Sequence, residues 1–158
     1  MCQSLTKLLD YMVNCENETP NKTNGFDINK LYSIRANKNV DGMTFKEALR
    51  YVHHNEFNGV KINGYAKISS VLQAKYALLN GPIIGGFPVY NTDTYFFIRR
   101  GCERMQGGHA VTIVGYDDDK REFKIQNSWG TRWGKNGYTT LKYDEFPEVC
   151  FESWCILP

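Results

Sequence analysis

An α+β fold, with helices in the first half of the chain and an antiparallel sheet in the second, is what this sequence of 158 residues predicts. Leu5, Leu8, Leu9 and Met12 recur at the spacing of one helix face, and Thr44-Phe45-Lys46-Glu47 has the form of a capping box opening a second helix. Beyond Pro82 the pattern turns to short β-rich runs separated by Gly, Asp and Asn. Helices that precede strands, instead of alternating with them, place a helical layer against an antiparallel sheet.

In chain order, Gln3 to Val13 is expected as a helix with Cys2 at its N-terminus, and the Asn, Thr, Pro and Gly of residues 14–25 as a surface loop. Phe26 to Ile34 reads as a short helix or an irregular turn. The helix after Thr44 should bury Phe45, Leu49 and Val52 and end near His54 or Asn55. Val60 to Ala66 reads as a strand or an extended link. Ser69 or Ser70 can cap a third helix, carrying Val71, Leu72, Tyr76 and Leu79, which Asn80-Gly81-Pro82 stops. Strands are then expected over 83–90, 109–116, 121–129 and 137–143, with Asp117-Asp118-Asp119-Lys120 as the hairpin turn between the second and third. The division is a helical part over residues 1–60 and a β-rich part over 61–158.

Composition narrows the function. The chain has 42% hydrophobic residues, enough for a core, and 19 basic against 17 acidic residues, a net charge of +2 that predicts no polyanion-binding surface and disfavours nucleic acid as a partner. No run is long and apolar enough for a membrane span, and Met1-Cys2-Gln3-Ser4 lacks the features of a signal peptide, so the expected place is the cytoplasm or a virus-infected cell, with secretion only if an upstream segment is missing. The five cysteines, Cys2, Cys15, Cys102, Cys150 and Cys155, leave at least one free thiol however they pair. None forms a CxxC pair, and the spacings to His53, His54 and His109 do not suit a metal, so no metal and no cofactor are expected.

The chemistry concentrates in two strings, Gly107-Gly108-His109-Ala110-Val111-Thr112-Ile113-Val114-Gly115-Tyr116 and Gln126-Asn127-Ser128-Trp129-Gly130-Thr131-Arg132-Trp133-Gly134. An Asn carbonyl can fix one nitrogen of an imidazole and so aim the other at a nucleophile. Trp129, two residues after Asn127 on an alternating strand, would share its face and cover that hydrogen bond against water. A thiol with a lowered pKa would complete the group, and a helix N-terminus next to an imidazolium supplies the lowering. By that criterion Cys2 is the candidate nucleophile. Cys15 stands at the wrong end of the same helix, Cys102 in a loop, and Cys150 and Cys155 beyond the last catalytic element.

His109 before an apolar strand ending in Gly-Tyr, an acidic turn, and Asn-Ser-Trp-Gly-Thr-x-Trp-Gly-x-x-Gly-Tyr together resemble the papain-like cysteine peptidases over residues 81–146. The stretches 81–90 and 138–146 are more similar to the short bacterial and viral forms. The resemblance implies two lobes, a helical one and a β half-barrel, with the cleft between them, and hydrolysis of peptide bonds by Cys2, His109 and Asn127. It also implies that Asp41, Gly42 and Met43 meet the substrate backbone and its second side chain, with Gly108 and Ala110 leaving room below. Peptides or proteins are the implied substrates.

Two features depart from the family. Only Met1 precedes Cys2, where papain-like enzymes carry a Gln whose amide completes the oxyanion hole, a donor whose loss costs about 100- to 1000-fold in turnover. The separation of Cys2 from His109 is shorter than the usual spacing of about 130–150 residues, as in a first lobe that has been trimmed. A binding or structural protein of this fold, and an acyltransferase using the same thiol and imidazole, are the alternatives.

Overall fold

Six antiparallel strands in the order β1-β6-β2-β3-β4-β5 form the centre of the structure, a computed structural model that describes residues 28–36, 38–39, 42–56 and 61–157. The expected helix over 3–13, Cys2, Cys15 and Asp41 lie outside the described residues. The elements are α1 (Ile28–Ser33), α2 (Phe45–His54), β1 (Gly64–Ile68), α3 (Val71–Leu78), β2 (Ile83–Val89), β3 (Gly107–Asp117), β4 (Glu122–Gln126), β5 (Tyr138–Lys142), α4 (Phe146–Val149) and β6 (Glu152–Leu157).

The local signals act as elementary physics requires. Thr44 is the N-cap of α2, its Oγ1 accepting from the Glu47 N–H at 3.2 Å, and Phe45, Ala48, Leu49 and Val52 form the buried face. Ser70 caps α3 in the same way, accepting from the Gln73 N–H at 3.2 Å. The face of α3 that meets the sheet is not the one its largest side chains occupy. Ala74 is fully buried with Val71, Ala77 and Leu78 beside it, while Leu72, Tyr76 and Leu79 are each more than 60% exposed. The helix lies close to the sheet where its residues are small.

The sheet divides the core in two. On one face Ile84, Ala110 and Ile156 meet Leu31, Met43 and the inward residues of α2; on the other Ile83, Phe87, Val111, Ile113, Phe123 and Ile125 pack with Ala74, Phe96, Phe97, Leu141 and Phe146. Adjacent residues of β2 and β3 therefore serve opposite cores, as period-two alternation demands. The alternation sets His109 on the face of Val111 and Phe87, and Ala110 on the face of α2.

Several expected bounds and placements differ from those observed. The first strand runs over 64–68 and not 60–66, and β4 stops at Gln126 before Asn127. The tail around Cys150 and Cys155, for which no strand was expected, contributes β6, inserted between β1 and β2 with Tyr65 opposite Ile156 and Ile84 opposite Trp154. Both sides of β6 are paired, which buries Ser153 and Ile156.

Candidate active site

His109 projects from β3, and Asn127 follows β4 directly. Thr112 opposes Gln126 and Ile113 opposes Ile125, so the chain leaves β4 alongside the residues of β3 that lead back to His109. Diagonal neighbours on paired strands lie within side-chain reach. The His109 Nε2 and Asn127 Oδ1 atoms are 2.7 Å apart. An amide oxygen only accepts, so the Nε2–H donates, and in the neutral ring Nδ1 keeps its lone pair. The same Oδ1 accepts the Ser128 N–H at 2.7 Å, which fixes the carboxamide orientation, and Asn127 is 3% exposed.

Trp129 stacks on His109, ring centroids 4.9 Å apart and planes at 26°. It does so from the bend after β4 and not from the strand expected there. What holds it is the next turn. The Asn127 N–H donates to Gly137 O at 2.9 Å and the Gly137 N–H to Trp133 O at 2.7 Å, so residues 127–137 close on themselves. Gly134 has φ +54°, and a Cβ there would stand 2.5 Å from Tyr138 O, so the turn requires glycine.

Two aromatic residues that the sequence did not single out complete the screen. Phe96, fully buried, presents its ring edge-on to His109 at 5.6 Å and touches Trp129 at 5.1 Å. Trp133 stands edge-on to Trp129 at 5.5 Å and donates its indole N–H to Thr92 O at 2.9 Å. Phe96 lies in an irregular stretch without periodicity, so only its aromatic neighbours Tyr95 and Phe97 hinted at a core role. The Trp-Gly repeat of the Asn127 segment carried the hint for Trp133.

This apolar surround lowers the pKa of His109. Burial disfavours the imidazolium and dominates, while the hydrogen bond to Asn127 opposes it. The ring is therefore neutral near pH 7, the form a general base requires.

The other residues picked from the sequence lie on the opposite face of the sheet. Ala110 and Met43 are both 7% exposed and belong to one core cluster. Gly42, at φ +102°, has open space where a Cβ would be, and its N–H donates to the Tyr32 hydroxyl at 3.0 Å. The room expected above Gly108 is taken by Phe151. A Cβ on Gly108 would lie 3.3 Å from the Phe151 ring, and one on Gly86, across the ladder, 2.6 Å from it. Phe151 is held there by its own N–H, which donates to Gly86 O at 3.1 Å, yet it is 57% exposed. No pattern in the sequence marked it.

Among the described thiols, Cys102 is exposed in a turn, Cys155 lies 3.6 Å from Ala66 O, and burial pushes Cys150 up to about 11. A thiol so far from its thiolate form is inert as a nucleophile.

A helix-flanked antiparallel sheet carrying a His and Asn pair under an indole has the papain-like architecture. Xylellain, a cysteine protease from Xylella fastidiosa, superimposes with a TM-score of 0.80 over 99% of this chain and 78% of its own, at 20% identity. Bromelain from Ananas comosus, solved with the E64 inhibitor, does so with a TM-score of 0.69 over 99% of this chain and 87% of its own, at 17% identity. The family model described as papain family cysteine protease matches residues 7–155, and the chain belongs to that family. Its relatives include an uncharacterised peptidase C1-like protein of Acanthamoeba polyphaga mimivirus, 40% identical over 44% of this chain and 25% of that protein. Cathepsin K of Gallus gallus is 28% identical over 82% of this chain and 43% of its own length. Chymopapain of Carica papaya is 32% identical over 75% of this chain and 33% of its own. The chain thus spans between a quarter and a half of the length of these curated relatives.

Proposed function

We propose that the chain is a cysteine endopeptidase in which Cys2, His109 and Asn127 act together. The observation that carries this reading is the 2.7 Å contact from His109 Nε2 to Asn127 Oδ1, because it commits one ring nitrogen and leaves Nδ1 as the base. Nδ1 takes the proton of the Cys2 thiol, and the thiolate attacks a peptide carbonyl. The resulting imidazolium returns its proton to the leaving amine, and the acyl thioester is hydrolysed by a water that His109 deprotonates. Asn127 positions the imidazole throughout, and Trp129, Phe96 and Trp133 keep that link dry.

In this reading residues 1–60 and 61–158 supply the two walls of the cleft. Asp41, Gly42 and Met43 line the first wall, the open space at Gly42 admitting a substrate backbone. Gly108 and Ala110 line the second. Because the Phe151 ring covers Gly108, the side-chain pocket there is shallow and apolar.

The test is active-site labelling of the folded protein with a peptidyl epoxide or vinyl sulfone, mapped by mass spectrometry. One label on Cys2, lost in His109→Ala, is the expected result. Absence of labelling, labelling of Cys102, Cys150 or Cys155 instead, or a Cys2 label that survives His109→Ala would overturn the assignment.

A further inference from the structure

The far end of β3 and the outer face of β4 and β5 form a groove of about 610 Å³, apart from the face that holds His109. Its floor is one row across three strands, Gly115 opposite Lys124 opposite Thr140. Gly115 follows the register shift in β3, and a Cβ built on it meets nothing within 4 Å, so the missing side chain is what makes the surface concave. One wall is Asp117, Lys120 and Glu122; the other is Lys135, Asn136 and Tyr138. Gly115 lies six residues along β3 from His109, about 20 Å.

The charges lining the groove do not cancel. Asp117 is paired with Lys120 at 2.5 Å and Glu122 with Lys142 at 2.8 Å. Lys124 and Lys135 have no carboxylate partner among the described residues, and the Lys124 ammonium stands 4.6 Å from the centroid of the Tyr138 ring. That ring is held in place by its hydroxyl, which accepts from the Gln126 amide at 3.1 Å. A cation resting on an aromatic face beside an open floor is set up for an anionic group that carries an apolar portion with it. Asp117 and Glu122 on the facing wall would repel a ligand with closely repeated charges, so the surface suits isolated carboxylates rather than a polyphosphate or polysulfate chain.

We propose that this groove is a second binding site, independent of the cleft, which takes a polypeptide segment bearing a carboxylate side chain next to an apolar one. The carboxylate meets Lys124 and Lys135, and the apolar neighbour lies over Gly115 against Tyr138. A volume of this size holds a few residues of peptide. On a peptidase such a site holds a protein substrate at a second point, so its loss alters the binding of acidic proteins and leaves the cleavage of short neutral peptides in the cleft unaffected.

The test is titration of the isotope-labelled, folded protein with a capped peptide alternating Glu and Phe, followed by amide NMR, with its Gln and Phe counterpart and heparin as separate arms. The expected result is shifts at Lys124, Thr140 and Tyr138 with the acidic peptide and affinity lower by about tenfold or more with the Gln peptide, as loss of a charged hydrogen bond implies. Gly115→Val fills the groove in a strand position that tolerates a branched side chain, and Lys124→Glu reverses its charge; both should abolish those shifts while the rest of the spectrum stays native. Equal binding of the Gln peptide, shifts that persist in folded Gly115→Val, tighter binding of heparin at the same residues, or no shifts there at millimolar peptide would each overturn the proposal.

Discussion

Truncating Asn127 to alanine tests the site at its most defined point. The Asn127 Oδ1 accepts two N–H groups at 2.7 Å, one from His109 and one from the Ser128 backbone, and the residue is 3% exposed. Alanine removes the acceptor and leaves both donors beneath Trp129. An unsatisfied buried donor costs about 1–3 kcal/mol. With partial entry of water at the half-buried Ser128, the expected loss of folding stability is about 2–4 kcal/mol. That loss is read from urea denaturation midpoints at constant slope.

In the proposed peptidase, the effect on catalysis is separable from that on stability. Without Oδ1 nothing selects the Nε2–H tautomer or holds the ring against Trp129, so the fraction of rings with a correctly aimed Nδ1 falls. An interaction of this strength corresponds to about 10- to 100-fold in kcat/KM on a fluorogenic peptide, carried mainly by kcat. Asn127→Asp provides the control: it keeps an acceptor for the Nε2–H, adds a charge that raises the His109 pKa, and should retain more activity than the alanine variant. A folded Asn127→Ala protein within twofold of the parent in kcat/KM would refute the reasoning, since the 2.7 Å contact would then be packing without catalytic consequence.

Two further predictions follow from the same geometry. In a Cys2→Ser protein, which removes the thiol, the His109 imidazole should titrate below the ordinary value of 6.5 by NMR, because burial outweighs its hydrogen bond to Asn127. The unfolded chain then binds the extra proton first, so this contribution to stability is intact above pH 6.5 and is lost as pH falls through the folded pKa. His109→Gln in that background should flatten the acid limb of the stability curve, and titration at or above 6.5 would contradict it. On the other face of the sheet, Gly86→Ala should be destabilising by about 1–3 kcal/mol through overpacking, since its Cβ would lie 2.6 Å from Phe151 and 3.0 Å from Phe45. Adding Phe151→Ala to it should recover most of the loss and, in the proposed peptidase, admit a bulkier substrate side chain; thermal melts of both proteins that differ by nothing would show the ring to be loosely placed.

Local chemistry made part of this structure legible in the sequence. Thr44 and Ser70 cap their helices because a hydroxyl followed by a free N–H three residues on is a sequence-local arrangement, and the Asp117 turn closes for the same reason, the Lys120 N–H donating to Asp117 Oδ1 at 2.9 Å. The His109 and Asn127 pairing was readable because His109 stands on β3 and Asn127 directly after β4, two strands joined by that one hairpin, so their register is set by a short connection.

What stayed hidden depends on contacts between distant parts of the chain. The strand Glu152–Leu157 has no turn linking it to either neighbour, and its place between β1 and β2 is decided by which edge it can satisfy on both sides. The exposure of Leu72, Tyr76 and Leu79 was hidden for a related reason: helical spacing identifies a helix face, but whether the sheet accepts that face or the small residues of the next depends on how closely α3 must approach. Phe151 combines both effects. Its position over Gly86 and Gly108 exists only because β6 pairs with β2, so Gly108, read in the sequence as room for a substrate, and Gly86 beside it are the seat of a ring that arrives from the other end of the chain. A glycine near a site therefore identifies a close approach without saying what approaches, and in the proposed peptidase the distinction determines how deep a substrate pocket at Gly108 can be.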